Sequence, residues 1–366
     1  MTLLLGLFSL LCLAFVATLT CDGLCTLVRR RARTATQQPL HLQVIERKTV
    51  GNDLLCLKLG SRQPLPAFLA GQHLLISAPA GRAGKTIQRA YSLAAWSAYP
   101  QTYELGIKRQ PNGAMSQWMW ATLQAGDELL ASPPQGNFVV EASSRPLVLI
   151  GAGIGITPIR AMLHAALGEK RRIFLFHAAK TAEALLYCEE FLALAARHAE
   201  LEYIRCLSQQ ELDHGAGQCR LSAQRILAVV EPKQEADYYL CANPALVDEL
   251  RNNLIAEGIP EHRIHHEVFA APTKTGSEGH AITVKINGQS HQLLSAGEPT
   301  VLACLEANAI ALPTECRAGS CGKCAVQLDA GQVDWLVKAE FPTAPNHILP
   351  CICAARSALH LSTHTS

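Results

Sequence analysis

Four cysteines near the C-terminal end constrain the fold of this 366-residue chain more than any other feature. Cys316, Cys321 and Cys324 follow the spacing C-x4-C-x2-C, and Cys351 lies farther along. This is the plant-type spacing of thiolates that bind a [2Fe–2S] cluster. A four-thiolate zinc site is the alternative, but such sites usually show two short pairs of cysteines. The spacing therefore predicts a [2Fe–2S] cluster held by these four thiolates.

The cluster loop also contains the glycines that such a site needs. Gly319 and Gly322 permit the backbone angles and the close approach by which a tight loop directs N–H groups at cluster sulfurs. Cys353 leaves an alternative open, since it could replace Cys351 as a ligand, although we expect it to be a neighbour. Cys304 falls in a predicted helix and is expected to be a core thiol.

The residues before this loop predict a small α+β domain. Residues 281–286 and 290–294 form predicted strands around an Asn287-Gly288 turn, and residues 300–308 fit a helix. A hairpin, a helix, a cluster loop and returning strands resemble the β-grasp ferredoxin fold, over residues 280–366.

The N-terminal end predicts a membrane anchor, because residues 2–21 contain no charged residue. Twenty residues of helix span about 30 Å, which matches the hydrocarbon core of a bilayer. A cleaved secretory signal is the alternative, but it needs basic residues before the apolar run. The basic residues Arg29, Arg30, Arg31 and Arg33 follow the run instead. The positive-inside rule then predicts a single-pass anchor with the catalytic domains in the cytoplasm.

Composition excludes two classes of protein. A chain of this length can bury its own core, so its 14 cysteines do not indicate a small disulfide scaffold. The net charge of +2 gives no indication of a nucleic-acid partner. Charged residues make up 17% of the chain, against a usual share of about 25%. Part of that deficit lies in the uncharged stretch at residues 2–21.

A glycine-rich turn at residues 151–158 predicts an α/β domain that binds a dinucleotide. An apolar run enters this turn and helical spacing follows it, so a pyrophosphate could lie at the helix N-terminus. A tight packing turn is the alternative, but Pro158 suits a first helical turn and favours the nucleotide site. Buried strands are predicted at residues 147–150, 172–177 and 237–241, and helices at 159–167, 185–196 and 244–256. Their alternation is typical of a parallel sheet.

Residues 40–140 predict an antiparallel β-barrel, because short alternating strands are separated by Gly and Pro. The strands are predicted at residues 40–45, 54–59, 73–78 and 103–108. The notable motifs are Arg89-Ala-Tyr91-Ser92, Gly106-Ile-Lys108-Arg109, Gly113-Ala-Met-Ser116 and Pro134-Gln-Gly136-Asn-Phe138. Each motif is common by itself, but their order ahead of the glycine-rich turn is specific.

Together the motifs resemble the ferredoxin–NADP reductase superfamily, in the type that carries a C-terminal plant-type ferredoxin domain. Oxygenase and hydroxylase reductases and the NADH reductase of hybrid-cluster proteins share this order of domains. The resemblance covers residues 40–366. It implies a relay in which NADH or NADPH gives a hydride to FAD, and electrons then pass singly to the [2Fe–2S] cluster and on to a partner.

The resemblance also implies roles for residues of the flavin domain. Arg89 would hold a flavin phosphate, Tyr91 would stack on the isoalloxazine ring, and Ser92 would lie near the reactive flavin nitrogen. These residue types suit the roles, since arginine pairs with phosphate through a planar fork and tyrosine offers a flat apolar face. The other implied flavin-binding residues are Lys108, Gly113 and Ser116. FMN is an open alternative to FAD.

In the nucleotide domain, the resemblance assigns Gly151, Gly153 and Thr157 to the dinucleotide turn. Cys241 would lie close to the nicotinamide, and a buried strand-end thiol is the alternative. The chain has Cys241-Ala-Asn243-Pro244 where the family usually has Cys-Gly-Pro, which is a departure from the pattern. Glu267 and Phe269 match the acidic-x-Phe ending that can approach the flavin, whereas His265 and His266 are expected to be solvated.

The preference between NADH and NADPH depends on positions after two predicted strands. Candidate positions for recognising a 2′-phosphate are His177, Lys180 and Ser208 to Gln210. Gln209 stands where NADP-preferring relatives often have Arg, which favours NADH. Lys180 and Arg205 keep NADPH open.

The predicted organisation is a membrane anchor followed by three domains and their linkers. The ranges are 1–28 for the anchor, 29–39 for a basic linker, 40–142 for the FAD-binding barrel, 143–270 for the NAD(P)-binding domain, 271–279 for a second linker and 280–366 for the [2Fe–2S] domain. The expected partner is a protein electron acceptor, for instance a membrane-bound oxygenase, hydroxylase or desaturase. A redox sensor without turnover and a reductase of a soluble small molecule are the alternatives.

Overall fold

The computed structural model describes residues 38–79, 86–111, 113–209, 220–269, 279–286, 288–295, 298–314, 322–336 and 341–363, with single residues at 317, 319 and 339. The chain forms two compact units. The first runs to Ala242 and includes Glu249–Glu267, and the second comprises Asn243–Asp248 and the residues from Val268 onward. The predicted anchor at residues 2–21 lies outside the described residues. Within the described ranges, no helix combines the length and the hydrophobicity that a bilayer crossing requires.

The flavin half of the first unit is an antiparallel six-stranded sheet, as the alternating sequence predicts. Its strands are β1 (Leu40–Val50), β2 (Leu54–Gly60), β3 (His73–Ala78), β4 (Ile87–Ser92), β5 (Tyr103–Lys108) and β6 (Glu128–Ala131), with helix α1 (Ala114–Thr122) between β5 and β6. The strand order is β4-β3-β6-β1-β2-β5, and a bridge between Leu93 and Leu105 joins the two edges. Leu55, Leu57 and Leu59 are buried on alternate positions of β2, which is why this strand was evident from sequence.

The nucleotide half is a five-stranded sheet with helices, and four of its strands pair in parallel. Its elements are β7 (Leu147–Ala152), α2 (Ile156–Ala166), β8 (Ile173–Ala179), α3 (Cys188–Arg197), β9 (Leu201–Leu207), α4 (Ala223–Leu227), β10 (Asp237–Ala242), α5 (Pro244–Ala256) and β11 (Ile264–Val268). The strand order is β11-β10-β7-β8-β9. Strands β10, β7, β8 and β9 pair in parallel. The helix predicted at residues 185–196 begins only at Cys188, because Tyr187 has a left-handed backbone with φ of 64°.

From Val268 onward, the described residues of the second unit contain a mixed sheet and one α-helix, in agreement with the predicted ferredoxin domain. Its elements are β12 (Ala281–Ile286), β13 (Gln289–Leu294), α6 (Val301–Ala307), β14 (Val326–Ala330), β15 (Val333–Trp335), β16 (His347–Ile348), β17 (Cys353–Ala355) and β18 (Leu359–Ser362). The main sheet has the order β13-β12-β18-β14-β16, and β15 pairs with β17. Thr300 caps α6 by accepting a hydrogen bond from the N–H of Ala303 at 3.0 Å. Cys304 in this helix is buried, so its prediction as a core thiol is confirmed.

The two halves of the first unit share a packed core. Ala70 and Phe138 come from the flavin half, yet they belong to the apolar cluster of the nucleotide half. The Phe138 and Tyr239 rings lie 5.9 Å apart between centroids. A Cβ on Gly71 would lie 2.6 Å from Met162 Cε, so the backbone of this loop approaches α2 closely. This packing fixes the flavin sheet against the nucleotide sheet.

Candidate functional site

Arg89 and Tyr91 lie on one face of β4. In the antiparallel register, Arg89 is opposite Ile76 and Tyr91 is opposite Leu74. Successive side chains of a strand alternate between its faces, so Ser92 points to the other side. Tyr91 is partly buried against the core of the flavin sheet. Burial raises its pKa and the nearby Arg89 only partly opposes this, so the phenol stays neutral near pH 7.

The turn before α1 is closed by the Ser116 hydroxyl. This hydroxyl donates to the Gly113 carbonyl at 3.1 Å and accepts from the Gln110 N–H at 3.1 Å. A Cβ on Gly113 would lie 2.5 Å from Ser116 Oγ, so only glycine fits without a shift. The first N–H groups of a helix lack intrahelical partners, and this turn therefore fits a flavin phosphate. Lys108 is exposed nearby in sequence and pairs with Asp53 at 3.6 Å.

The dinucleotide turn lies at the carboxyl edge of the parallel sheet. Gly151, the penultimate residue of β7, lies beside Cys241 of β10 and His177 of β8. A Cβ on Gly155 would lie 2.1 Å from the Cys241 carbonyl oxygen, so this glycine allows α2 to begin against β10. Gly153 has φ of 55° and no atom within 4 Å of an added Cβ. The turn is thus packed against β10 at Gly155 and has open space at Gly153. This arrangement fits a pyrophosphate at the start of α2.

Two predicted residues of this region are buried. Thr157 is 1% exposed, and its hydroxyl donates to the Ile154 carbonyl at 2.9 Å. Cys241 is fully buried at the end of β10, one strand from Gly151. The structure therefore places the Cys241 thiol beside the dinucleotide turn. It also buries this thiol, as the alternative of a strand-end cysteine predicts.

The predictions for the two histidines at the ends of strands need correction. His265 was expected to be solvated, but its ring stacks on Tyr239 at 4.5 Å between centroids, and burial lowers its pKa. His177 was a candidate position for the 2′-phosphate, but it is fully buried, and its Nδ1 lies 3.0 Å from the Tyr203 hydroxyl. Burial lowers the pKa of His177 to about 3. A neutral, enclosed imidazole cannot recognise a phosphate at the surface.

The remaining predicted residues of the first unit lie near its surface or on the outer strand. Lys180 and Gln209 are both exposed, and the Gln209 N–H donates to the Lys180 carbonyl at 3.0 Å. Glu267 lies in β11, the edge strand next to β10. Phe269, in the second unit, is 42% exposed.

Two of the four predicted cluster thiols lie within the described residues, and they converge. The Sγ atoms of Cys324 and Cys351 are 3.3 Å apart, and both side chains are buried. Cys316 and Cys321 lie outside the described residues. Across the described part of the chain, no group of three or more His, Cys, Asp or Glu side chains could hold a metal ion. Cys353 is also fully buried.

Glycines shape the backbone around these thiols. Gly319 and Gly322 have φ of 79° and 71°, in the left-handed region that favours glycine. A Cβ on Gly322 would lie 2.4 Å from the Phe341 ring, and one on Gly319 would lie 2.5 Å from Ile352. The apolar enclosure and the converging thiols fit a [2Fe–2S] cluster, whose thiolate ligands need a shaped and largely dry pocket.

The sequence reasoning missed Arg160, which joins the two halves of the first unit. Its guanidinium donates to Glu104 of β5 and to Glu190 of α3. Almost every residue of α2 is buried, so a charged residue in this helix was a signal that a buried partner exists. The partners themselves could not be found, because Glu104 is 56 residues away in the chain.

Comparison with known families identifies all three parts of the chain. An oxidoreductase FAD-binding domain matches residues 41–140, an oxidoreductase NAD-binding domain matches 149–252, and a 2Fe-2S iron-sulfur cluster binding domain matches 284–356. The chain belongs to the ferredoxin–NADP reductase-like flavoproteins. It is an NAD(P)H-dependent flavin and iron–sulfur reductase, and its cofactors are FAD and a [2Fe–2S] cluster, with NAD(P)H as the electron donor.

Individual relatives of this reductase differ in how much of it they cover. It is 28% identical over 285 residues to the ferredoxin reductase component of 3-ketosteroid-9-alpha-monooxygenase from Rhodococcus rhodochrous, covering 73% of this chain and 79% of the relative. It is 31% identical to a flavohemoprotein of Pseudomonas aeruginosa, covering 57% of this chain and 52% of that protein. This reductase therefore spans about half the length of the flavohemoprotein.

A solved structure shares the fold over most of the chain. Phthalate dioxygenase reductase matches with a TM-score of 0.65 and 24% identity, covering 88% of this chain and 97% of that one. The match extends through the second unit, whereas a flavohemoprotein-like FAD/NAD domain of Vibrio cholerae matches 63% of this chain. The likeness to phthalate dioxygenase reductase thus includes the order of all three domains.

Proposed function

We propose that this reductase is the electron-supplying component of an oxygenase system. The observation that carries the proposal is the iron–sulfur domain in the same chain, after the flavin and nucleotide domains. A monooxygenase reductase component from Rhodococcus rhodochrous matches across 79% of its own length. When bound, NAD(P)H and FAD supply hydride transfer, and the [2Fe–2S] cluster supplies one-electron transfer.

The residues of the chain bind and orient these groups. Arg89 would neutralise a flavin phosphate, and the neutral Tyr91 would offer a flat apolar face beside it. The turn of Gly113 and Ser116 would hold the other phosphate of FAD through helix N–H groups. Open space at Gly153 admits the NAD(P)H pyrophosphate. Ser92 is buried and small, so it would not block a nicotinamide that approaches the ring.

The cluster should be the exit for electrons that leave toward a protein partner. The test compares NADH-dependent reduction of cytochrome c, a one-electron protein acceptor, with reduction of ferricyanide. Wild-type protein should reduce both, and Cys351→Ser should lose most of the cytochrome c activity but keep ferricyanide reduction. Equal activities in the two proteins would favour direct delivery from the flavin to a soluble acceptor. A cofactor-loaded wild type without turnover would favour a redox sensor.

We also propose that residues 2–21 anchor the protein in a membrane, with the catalytic domains in the cytoplasm. The support is the uncharged length of this stretch and the arginines that follow it. The acceptor would then be a membrane-bound oxygenase, hydroxylase or desaturase. Fractionation tests the anchor: recovery of the full-length protein in the soluble fraction with an intact N-terminus contradicts it. Unchanged electron delivery in cells after deletion of residues 1–33 would remove its role.

For the donor, we propose a preference for NADH. Gln209 is exposed beside Lys180, so this position offers an amide where a guanidinium would pair with a 2′-phosphate. An arginine fork recognises a 2′-phosphate much better than an amide does. Steady-state kinetics at low donor concentration should give a higher kcat/KM for NADH than for NADPH. The reverse order would assign 2′-phosphate recognition to Lys180 or Arg205.

A further inference from the structure

We infer that Arg160 is a positioning residue for hydride transfer: it ties the start of α2 to the flavin sheet and so fixes where the dinucleotide turn stands relative to the flavin. The known reductase activity assigns no role to this residue. It lies one helical turn beyond Thr157, on the helix that begins directly after the glycine-rich turn.

The Arg160 guanidinium bridges both halves of the first unit. Its Nε donates to the two carboxylate oxygens of Glu190 at 3.0 and 2.9 Å, within the nucleotide half. Its Nη1 donates at 2.9 Å both to Glu104 Oε2 and to the Ala94 carbonyl oxygen, in the flavin half. The side chain is only 10% exposed. The two hydrogen bonds from Nη1 cross between the halves and therefore set the position of α2 against the flavin sheet, and the two from Nε hold the guanidinium in its orientation.

We call the contacts of Arg160 with Glu190, Glu104 and the Ala94 carbonyl the joint. Aromatic and neutral groups also contact it. The Arg160 guanidinium lies 4.3 Å from the centroid of the Tyr187 ring, a cation–π contact. The Tyr187 hydroxyl is 4.0 Å from Cys56 Sγ of β2. His164 Nε2 lies 2.7 Å from Glu190 Oε1, so the same carboxylate contacts both His164 and Arg160. The left-handed backbone of Tyr187 brings its ring to this position ahead of α3.

The dinucleotide turn itself rests on the flavin sheet at Gly106. A Cβ on Gly106 would lie 2.6 Å from Thr157 Cγ2, 3.4 Å from Ile154 Cδ1 and 3.6 Å from the Tyr187 hydroxyl. The turn, the tyrosine and the arginine therefore meet one strand, β5, over a short stretch that includes Glu104. A shift of α2 at the joint would move the turn with it.

The charges of the joint persist at neutral pH. Burial tends to lower the pKa of Arg160. The negative charges of Glu190 and Glu104 outweigh this effect and hold the pKa of Arg160 above its usual value. Burial likewise works against the Glu190 carboxylate, yet the bonds from His164 and Arg160 keep its pKa below the usual value. Buried ion pairs add little net stability compared with apolar packing, and their best-attested use is to fix one arrangement. A displacement of about 1 Å can slow a reaction by about 100-fold, so a fixed arrangement matters for hydride transfer.

The test measures anaerobic reduction of the bound flavin in the full-length holoprotein by stopped flow, with NADH and with NADH deuterated at the transferred hydrogen. Arg160→Met should lower the limiting rate at least about tenfold, since the hydride geometry is relaxed. The apparent Kd for NADH should change by less than about threefold, because the pyrophosphate turn remains intact. The deuterium isotope effect should rise. Glu104→Gln should shift the rate in the same direction, and Arg160→Lys should recover part of it.

Arg145→Met is the matched control. Arg145 Nε also donates to both oxygens of a carboxylate, Asp237 at 3.0 Å, but this pair does not involve the flavin half of the unit. Its limiting rate should stay close to wild type, whatever its thermal stability. If Arg160→Met does not fold, Glu104→Gln and Gly106→Ala decide the question. Wild-type limiting rates in these variants, or a change confined to the Kd for NADH, would overturn the inference.

Discussion

At the scale of single residues, hydroxyl groups in the two cofactor turns shape the backbone. Ser116 closes the flavin turn, and Thr157 bonds back to Ile154 within the nucleotide turn. Both side chains are at most 5% exposed. Each hydroxyl group therefore holds the local backbone of its turn in place.

Ser116→Ala should weaken FAD binding. The change removes two hydrogen bonds that close the turn, worth about 1 kcal/mol each at most sites. We expect the Kd for FAD to rise about 5- to 30-fold, measured by flavin fluorescence during dialysis or titration. Ser132→Ala is the control, because Ser132 also makes two hydrogen bonds to backbone groups, to Leu75 and Pro133. Equal loss of FAD in the two variants would contradict a specific role for the turn.

His177 should make the protein less stable in acid. Its pKa falls from 6.5 to about 3 on folding, so between these values the unfolded chain binds a proton that the folded protein does not. Stability therefore falls with decreasing pH in that window, by up to about 1.4 kcal/mol per pH unit from this group. Urea unfolding at several pH values gives the free energy of unfolding as a function of pH. This free energy should change less steeply with pH in His177→Asn than in wild type. The same pH dependence of the unfolding free energy in His177→Asn and in wild type would contradict the assignment.

At the scale of elements, alternation and helical spacing in the sequence identified the regular strands and helices. Some of their end points depend on long-range contacts or on backbone geometry. The strands at residues 73–78 and 103–108 and the helix at 244–256 have the bounds that the sequence predicts. Strand β1 runs five residues past its predicted end, through charged positions that pair with β2. The late start of α3 depends on the left-handed Tyr187, which periodicity does not reveal.

The residues of the candidate site also fall into two groups, those with local roles, which the sequence reveals, and those defined by long-range contacts, which it does not. Motif residues with local roles, such as Gly113 and Gly153, were evident because a turn needs them in a fixed order. Gly155 was missed because its constraint is a carbonyl oxygen of β10, far along the chain. Arg160 was missed for the same reason. Conversely, His177 was assigned to the surface from its place at a strand end, although Tyr203 and Phe191 enclose it.

Gly155→Ala should separate α2 from β10. The added Cβ would lie 2.1 Å from a backbone oxygen, so the helix or the strand must move. We expect the KM for NADH to rise at least about tenfold, because the pyrophosphate site lies at this helix N-terminus. Gly168→Ala serves as the control, since Gly168 has φ of 85° with open space around its Cβ position. That control should cost about 1 kcal/mol in stability and leave KM near the wild-type value. An unchanged KM in Gly155→Ala would contradict the packing role.

At the scale of the whole molecule, the two compact units separate two kinds of chemistry. Buried residues of the flavin half pack into the apolar cluster of the nucleotide half, and hydride transfer requires such close approach of donor and acceptor. The iron–sulfur domain has an apolar core of its own.

The cluster should depend on Cys351 and not on Cys353. Cys351 lies 3.3 Å from Cys324 between Sγ atoms, and Cys353 starts β17 beyond them. We expect Cys351→Ser to lose most of its iron and acid-labile sulfide, and Cys353→Ser to retain both. Cys304 is a buried residue of α6, so Cys304→Ser controls for the loss of a buried thiol. Loss of iron from Cys353→Ser alone would assign the fourth ligand to Cys353.

The most direct measurement is rapid freeze-quench EPR spectroscopy of the anaerobic full-length protein mixed with a stoichiometric amount of NADH, with flavin absorbance followed in parallel. The flavin should bleach first, and the signal of the reduced [2Fe–2S] cluster should then appear at the rate of internal electron transfer. Cys351→Ser should bleach without giving that signal. A wild-type protein whose flavin bleaches while its cluster stays oxidised would contradict the relay.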